Sequence, residues 1–280
     1  MKILITGGAG FVGTNLLIKL KEENHELHSI DDYSIGTEEN HIDGVKYIRD
    51  DVNNINKYNE RFDLIYHLAA LSRIQPSFKN PTITYHANTS STLQILEYSR
   101  RFNTPVIYSG SSSKHHNPMI SPYAMTKYLG EELCKLYKTT YNLNIHITRF
   151  YNVYGPYEII DGDWAAVIGK WRNNIDKGLP LEIVGDGNQR RDFTHINDIV
   201  SGLIKISKSN TTNFEWELGS GKNYSINEVF KMFEKNFSCK SKFIADQPGN
   251  YRETLRENDK ALEELGWTPE YDLEYYINNL

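Results

Sequence analysis

The first thirteen residues constrain this chain most, because an apolar run leads straight into evenly spaced glycines. Residues 2–6 have the composition of a buried strand, and residues 11–20 have the apolar spacing of a helix. The glycines lie at the turn between them, where missing Cβ atoms let an anion approach the backbone and the helix N-terminus offers N–H groups. This arrangement predicts a site for a dinucleotide pyrophosphate. The predicted site comprises Gly7, Gly10, Phe11, Val12 and Gly13.

The glycine spacing is G-x-x-G-x-x-G rather than the usual G-x-G-x-x-G, so taken alone it would also suit an ordinary tight turn. A second predicted strand, residues 25–30, ends at Asp31 and Asp32. These acids stand roughly 20 residues beyond the turn, where a carboxylate accepts hydrogen bonds from the adenosine ribose. A carboxylate there repels a 2′-phosphate, which predicts NAD rather than NADP. The alternative is a pair of solvated loop acids.

Composition limits the kinds of partner. With 280 residues, 39% hydrophobic and 24% charged, the chain can bury one large core or form two lobes. The formal charge of −5 comes without a basic patch, so neither nucleic acid nor an anionic membrane is expected as a partner. The chain opens on a predicted core strand and has no long apolar run, so we expect a cytoplasmic protein. Cys134 and Cys239 have no metal or disulfide spacing, and no metal is predicted.

Strand, loop and helix alternate regularly through the first part of the chain. Further strands are predicted at residues 45–48, 62–68, 105–109 and 144–149, and helices at 81–102 and 121–141. Such alternation is typical of an α/β fold with a doubly wound parallel sheet of the Rossmann type. After residue 155 the regularity weakens, which indicates a smaller C-terminal lobe. Its predicted elements are a strand at 181–184 and helices at 164–175, 196–207, 227–236 and 259–265.

We therefore predict two lobes. Residues 1–155 form the NAD-binding Rossmann domain, and residues 186–220 pack back onto it. Residues 156–185 and 221–280 form the smaller α/β substrate lobe.

Two strand ends are expected to line the cofactor. Asp51 and Val52 follow the third predicted strand, whose end should lie near the adenine. Leu68, Ala69 and Ala70 follow the fourth, and small residues there let a cofactor pass close over the strand end.

A tyrosine and a lysine near the start of the long helix form the candidate chemical centre. Ser121 is a natural N-cap, and Tyr123 and Lys127, four residues apart, project from one helix face. A tyrosine, with an ordinary pKa near 10, is a poor base unless cations stabilise its phenolate. Lys127, the helix N-terminus and a bound nicotinamide would do so, and Ser111 would bond the same substrate oxygen. The alternative is a surface helix that carries Tyr and Lys for solubility.

Together these segments resemble the extended short-chain dehydrogenase/reductases, above all the NAD-dependent nucleotide-sugar epimerases and dehydratases. The resemblance implies a Rossmann-type domain that holds NAD, a smaller lobe that holds a nucleotide sugar, and a homodimer formed through two paired helices. The matching segments are residues 6–13, 31–32, 51–52, 67–70, 88, the serines from 111, 123–127, 149–156 and 191–193.

The resemblance also assigns roles to individual residues. It implies that Ser111 is the catalytic hydroxyl, that Tyr123 is the base, and that Lys127 lowers the Tyr123 pKa and holds the nicotinamide ribose. The further implied binding residues are Asn88 for the cofactor, Asn152 for the nucleotide diphosphate, Val184 on the strand that carries the base, and Arg191 for phosphate. An ordinary solvated charge is the alternative for Arg191.

The residues after Ser111 favour one reaction within the family. The resemblance implies Asp-Glu here for a 4,6-dehydratase and a Glu at position 113 for a sugar-acid decarboxylase, whereas this chain has Ser112 and Ser113. A serine-only run resembles the 4-epimerases, which invert C4 through a transient 4-keto sugar by reversible hydride transfer. The alternatives are a dehydratase, a decarboxylase or keto-sugar reductase of the same family, and a non-catalytic NAD-binding protein.

Two segments depart from the family pattern. Lys114, His115 and His116 replace the usual Val-Tyr-Gly, and we interpret them as a polar loop in preference to a metal site. Gln247-Pro248-Gly249-Asn250 stands in place of an Arg-Pro-Gly-Asp phosphate grip, with Arg252 and Arg256 as candidate substitutes.

Overall fold

A seven-stranded parallel sheet lies at the centre of the molecule, and the computed structural model describes residues 1–280. The strands are β1 (Lys2–Thr6), β2 (Glu26–Asp31), β3 (Lys46–Arg49), β4 (Leu64–His67), β5 (Val106–Ser111), β6 (Ile145–Phe150), β7 (Val153–Tyr154), β8 (Leu181–Val184), β9 (Arg190–Asp192), β10 (Thr194–His195), β11 (Glu215–Leu218), β12 (Asn223–Ser225) and β13 (Ser241–Ile244). The helices are α1 (Phe11–Lys21), α2 (Ile74–Lys79), α3 (Pro81–Tyr85), α4 (Ser91–Phe102), α5 (Pro122–Tyr141), α6 (Val167–Asp176), α7 (Ile196–Ser207), α8 (Ile226–Asn236), α9 (Lys260–Leu265) and α10 (Leu273–Asn278).

The strand order of the sheet is β11-β6-β5-β4-β1-β2-β3, and every neighbouring pair is parallel. The order reverses between β1 and β4, so the connections leave these strands in opposite directions and open a crevice at their carboxyl ends. This topology confirms the doubly wound Rossmann-type α/β fold predicted from the sequence.

Both faces of the sheet are buried, as parallel strands with helical crossovers require. Successive side chains of a strand point to opposite faces. In β1, Ile3 and Ile5 therefore pack into one core together with Leu16 of α1, while Leu4 packs into the other with Ile95 of α4. All five side chains are at most 1% exposed.

A second, smaller core lies in the C-terminal part of the chain. Trp171 of α6, Leu181 of β8 and Phe233 of α8 are its centre, beside three two-stranded sheets. Ala261 of α9 and Trp267 pack instead in the core of the large sheet against α7. The chain thus returns to the large sheet twice, with α7 and β11 and again with α9, although the division drawn from the sequence left residues 221–280 wholly to the smaller lobe.

Two local features differ from the predicted elements. The single helix predicted at 81–102 is α3 and α4 joined by a π-helical turn, His86–Ser90. The short helix α2, which contains Pro76, was not predicted because six residues carry too little periodicity. No helix of the chain combines the length and the apolar character that crossing a bilayer demands.

A buried histidine makes folding stability depend on pH. His146 of β6 is 8% exposed, its Nδ1 accepts a hydrogen bond from Trp216 Nε1 at 3.1 Å, and burial lowers its pKa to about 4. The unfolded chain, with a histidine pKa near 6.5, binds the proton more readily, so this contribution is complete above pH 6.5 and is lost as the pH falls towards 4.

We expect His146→Gln, which keeps an acceptor for Trp216, to flatten the pH dependence of the free energy of unfolding. The slope between pH 6.5 and 4 should fall by up to about 1.4 kcal/mol per pH unit. Urea unfolding of both proteins across this range measures it, and equal slopes would contradict the assignment of a neutral buried His146.

Candidate active site

The glycine turn between β1 and α1 is held so tightly that side chains are excluded from it. Gly7 has a φ of +72°, and a Cβ there would lie 2.9 Å from the backbone of Ala69. A Cβ on Gly13 would lie 2.2 Å from the carbonyl oxygen of Gly7. Helix α1 follows Gly10 as its N-cap residue, and no side chain caps it. The N–H groups of its first turn are therefore available to an anion.

Asp31, at the end of β2, ties that turn in place. Its side chain is 6% exposed; Oδ2 accepts a hydrogen bond from the Ala9 N–H and Oδ1 from the Tyr33 N–H, both at 2.9 Å. Burial raises the pKa of Asp31, and these two N–H groups partly oppose the rise. Asp32 is exposed and accepts from Ser34. Both acids line the same cavity as the glycines.

The ends of β3 and β4 form the next part of the cavity wall. Asp51 caps a short 3₁₀ helix by accepting from the Asn53 N–H at 2.7 Å, and Val52 begins that helix. Thr6 Oγ1 accepts from the N–H groups of Leu68 and Ala69, which holds the chain after β4 against β1. The predicted cofactor residues Asp51, Val52, Leu68, Ala69 and Ala70 all line the cavity.

Asn88 lies behind this wall rather than in it. Its Nδ2 donates to the Leu71 carbonyl and to Thr126 Oγ1, both at 3.0 Å, and its Oδ1 accepts from the Leu71 N–H at 2.7 Å. The side chain is 1% exposed and is absent from the cavity lining. Its contacts fasten the segment after β4 to α5, so Asn88 positions the cavity wall, and the contact with a cofactor that the resemblance implies stays a prediction.

Ser111, Tyr123 and Lys127 meet at the carboxyl end of β5. Ser121 caps α5 by accepting from the Ala124 N–H at 3.1 Å, which sets Tyr123 in the first helical turn. The Tyr123 hydroxyl donates to Ser111 Oγ at 3.1 Å. One turn further on, Lys127 Nζ donates to the carbonyl of Ser109 at 2.8 Å. All three predicted residues line the cavity.

Burial dominates the electrostatics of this trio. It raises the pKa of the Tyr123 phenol, against the Ser111 hydrogen bond and the positive charge of Arg73. Burial likewise lowers the pKa of Lys127 to about 8, although Glu131 opposes the change. Among the chain's own cations it is thus Arg73, which sequence reasoning missed, that most favours the Tyr123 phenolate.

The predicted substrate residues line the opposite wall. Asn152 has a φ of +26°, and its Nδ2 donates to the Asp192 carbonyl and to Thr254 Oγ1, both at 3.1 Å. Arg191 of β9 donates only to the Arg190 carbonyl, and burial lowers the pKa of its guanidinium to about 10. Asn152, Val184 and Arg191 all lie in the lining of the cavity.

These walls enclose one cavity of about 770 Å³ between the large sheet and the smaller lobe. Its uncapped helix N-terminus suits a pyrophosphate, and the acids beside β2 suit ribose hydroxyls. The donor set therefore fits a dinucleotide that ends near Tyr123.

A sequence model of the NAD dependent epimerase/dehydratase family matches residues 3–219. The chain belongs to this family. Membership confirms the family predicted from the sequence, an enzyme of the epimerase family, and NAD as its cofactor.

Individual members of the family are similar over nearly their whole length. A putative UDP-glucose 4-epimerase of Methanocaldococcus jannaschii is 32% identical over 99% of this chain and 96% of its own. A UDP-glucuronate 4-epimerase of Thermodesulfobacterium geofontis is 31% identical, over 97% and 92%. The crystal structure of UDP-glucuronic acid 4-epimerase from Bacillus cereus, with UDP-glucuronic acid and NAD, superposes with a TM-score of 0.90 at 28% identity, over 99% of this chain and 96% of that one.

The loop that departs from the family pattern lies behind the cavity lining. Lys114 pairs with Glu132 at 2.7 Å, and His115 Nε2 lies 3.0 Å from Glu217 Oε1. The His116 ring stacks on Tyr251, with 4.0 Å between ring centroids. None of the three lines the cavity, in agreement with a polar loop.

The two arginines considered as substitutes for the missing phosphate grip are engaged elsewhere. Arg252 forms a two-pronged pair with Asp186 at 3.1 and 3.0 Å. Arg256 donates to the Gly219 carbonyl and pairs with Asp259. Neither lines the cavity, whereas Gln247 does.

A buried ion cluster behind the trio was also missed by sequence reasoning. Arg149 of β6 donates to Glu131 Oε2 and to Glu217 Oε1, each at 2.7 Å, and to Glu215. Glu131 and Glu217 are 1% and 0% exposed. Burial would raise the pKa of Glu217, but the hydrogen bond from His115 and the charge of Arg149 outweigh it and lower that pKa. The acids come from α5 and β11, too far apart in sequence for a spacing pattern to reveal.

Proposed function

We propose that this family member inverts C4 of a nucleotide-linked sugar, with Tyr123 as the acid and base. NAD, when bound, supplies the reversible acceptance of a hydride from C4. Tyr123 takes the proton of the 4-hydroxyl and returns it after the sugar ring has turned over. Ser111, 3.1 Å from the phenol, hydrogen-bonds the same sugar oxygen.

Other residues of the cavity bind the cofactor and the nucleotide part of the substrate. Lys127, anchored on the Ser109 carbonyl, holds the nicotinamide ribose beside Tyr123. Arg191 and Asn152 hold the diphosphate of the substrate, and Val184 packs against its base. The glycine turn holds the diphosphate of NAD, and Asp31 holds the adenosine ribose.

The positions of the acids in the cavity favour epimerisation over the loss of water from the sugar. Expelling water from the sugar requires an acid and a base beside the reacting carbons, and the positions after Ser111 are Ser112 and Ser113. The acids in the cavity lining are Asp31, Asp32, Asp51, Asp163 and Glu182. The first three surround the expected adenosine, and the last two pair with Lys79 and Lys170. No carboxylate of the lining is then left to move a proton at the sugar, which favours Tyr123 for that step.

Incubating the purified protein with UDP-, GDP- and TDP-linked hexoses and with UDP-glucuronate tests the function. We expect a C4-inverted product, detected by NMR, with no net consumption of NADH. Loss of water or of carbon dioxide from the sugar would instead establish a dehydratase or a decarboxylase, and stoichiometric oxidation of NADH would establish a reductase.

We also propose that the chain assembles as a homodimer through α4 and α5. Apolar side chains left exposed on α5 support this: Leu136 is 53% exposed and Tyr141 is 46% exposed.

A further inference from the structure

Two arginines line the cavity, Arg73 and Arg191, and neither pairs with a carboxylate of the chain. The exposed lysines of the lining, Lys79 and Lys170, each do. Both arginines are half-buried, and partly removing a cation from water without a counter-ion is costly, so an anionic group on a ligand would stabilise each of them. The diphosphate of the proposed substrate satisfies one of them, which leaves one without an anion.

The guanidinium of Arg73 has N–H donors that make no hydrogen bond within the chain. Its Nε donates to the Trp164 carbonyl at 2.8 Å and its Nη1 to the Ser72 carbonyl at 3.2 Å, while Nη2 makes no hydrogen bond within the chain. Burial lowers the pKa of the guanidinium, yet an arginine remains charged in proteins. A planar guanidinium held at one edge presents its other edge to a carboxylate.

Arg73 lies at the reacting end of the cavity. It is the N-cap residue of α2, and α2 is fastened to the start of α5 because Ser77 Oγ accepts from the Tyr123 N–H at 3.1 Å. Its charge favours the phenolate of Tyr123. Arg191 belongs to β9 of the smaller lobe, so the two cations serve different parts of one ligand.

Glu158 is the carboxyl group whose charge Arg73 feels, but the two side chains are not within ion-pair distance of each other. Glu158 Oε1 accepts from Arg172 at 3.2 Å, and burial raises the Glu158 pKa to about 7. Its side chain lies outside the cavity lining. The charge of Arg73 is therefore available to a ligand.

We propose that Arg73 binds a carboxylate on the sugar, so that the preferred substrate is a nucleotide-linked hexuronic acid rather than a neutral hexose. This inference rests on the proposed function. The 4-hydroxyl that Tyr123 deprotonates and the carboxylate on C5 occupy neighbouring ring positions. A residue beside Tyr123 is accordingly within reach of that carboxylate.

UDP-glucuronate and UDP-glucose, which differ only in this group, test the proposal. We expect wild type to prefer UDP-glucuronate in kcat/KM and Arg73→Met to reduce this preference roughly 100-fold. Because the charge of Arg73 also favours the Tyr123 phenolate, its loss should in addition lower kcat/KM for both sugars by a common factor, which cancels in the ratio. Arg73→Lys should restore part of the preference. Arg61→Met, at an exposed arginine without a carboxylate partner, is the matched control and should change neither value.

If Arg73 only holds Trp164 or favours the Tyr123 phenolate, Arg73→Met would lower kcat/KM for both sugars and leave the ratio of the two values at its wild-type level, and that result would overturn the proposal. So would a wild-type preference for UDP-glucose, although C4 inversion itself would then stand. Calorimetric titration of both nucleotide sugars into the NAD-loaded protein gives a second readout. If neither sugar is inverted, the proposed function fails. The titration still tests the arginine, because Arg73→Met should then weaken the binding of UDP-glucuronate and leave the binding of UDP-glucose unchanged.

Discussion

Replacing Tyr123 with phenylalanine will lower the turnover number by at least about 100-fold, since a positioned proton donor and acceptor contributes a factor of that size. The phenylalanine ring occupies the same space beside Ser111 but has no proton to exchange with the 4-hydroxyl. The phenol's one hydrogen bond within the chain is the one it donates to Ser111, so folding should be unaffected. Turnover with the best nucleotide sugar from the substrate screen, together with the NAD content of the purified variant, measures the effect.

Tyr275→Phe provides the matched control, because this tyrosine is 70% exposed and does not line the cavity. We expect it to keep full activity. A Tyr123→Phe protein that turns over at the wild-type rate would remove the base from the mechanism, whereas one that loses activity and NAD together would indicate damage to the cofactor site.

Replacing Arg149 with methionine will destabilise the fold by about 3–5 kcal/mol, the usual cost of leaving buried charges without their partner. Glu131 and Glu217 would then be buried behind the active site without their cation, and only the Tyr151 hydroxyl and His115 would still contact Glu217. That loss is a large share of the about 5–15 kcal/mol by which domains are stable. Urea unfolding of both proteins measures it.

A compensated variant separates charge from shape. Arg149→Met combined with Glu131→Gln and Glu217→Gln removes the stranded charges, and we expect it to recover a substantial part of the lost stability. If Arg149→Met alone costs less than about 1 kcal/mol, then water or rearrangement must satisfy the acids, and the cluster is not the anchor that its burial indicates.

Much of the fold and part of the site could be predicted from the sequence, because they depend on residues that lie close together in the chain. The glycine turn after β1 and the cap of α5 are set by residues close in sequence, as is the spacing from Tyr123 to Lys127. Each of these patterns depends on residues that are neighbours in the chain, and together they predicted the alternation of strands and helices and the position of the trio.

The features that sequence reasoning missed depend on contacts between distant segments. Arg73 follows β4 by six residues, a place where a side chain can reach the carboxyl edge of the sheet, but its lack of a counter-ion is visible only in three dimensions. Asn88 has the residue type of a ligand-binding amide, yet the π-helical turn places it behind the wall. The pKa of Tyr123 was expected to fall beside Lys127 and a bound nicotinamide, whereas within the chain itself burial, which no sequence pattern reports, raises it.

The return of the chain to the large sheet restricts how such proteins can be recombined. Strand β11 follows the first segment of the smaller lobe in the chain, yet it completes the sheet edge beside β6 and brings two acids to Arg149. A chimera joined to a relative at a single crossover near residue 155 would therefore combine an edge strand and a buried charge partner from different parents. We therefore expect that substrate specificity can be transferred between relatives by exchanging loops or single residues such as Arg73. Exchanging the whole smaller lobe should disrupt the sheet edge.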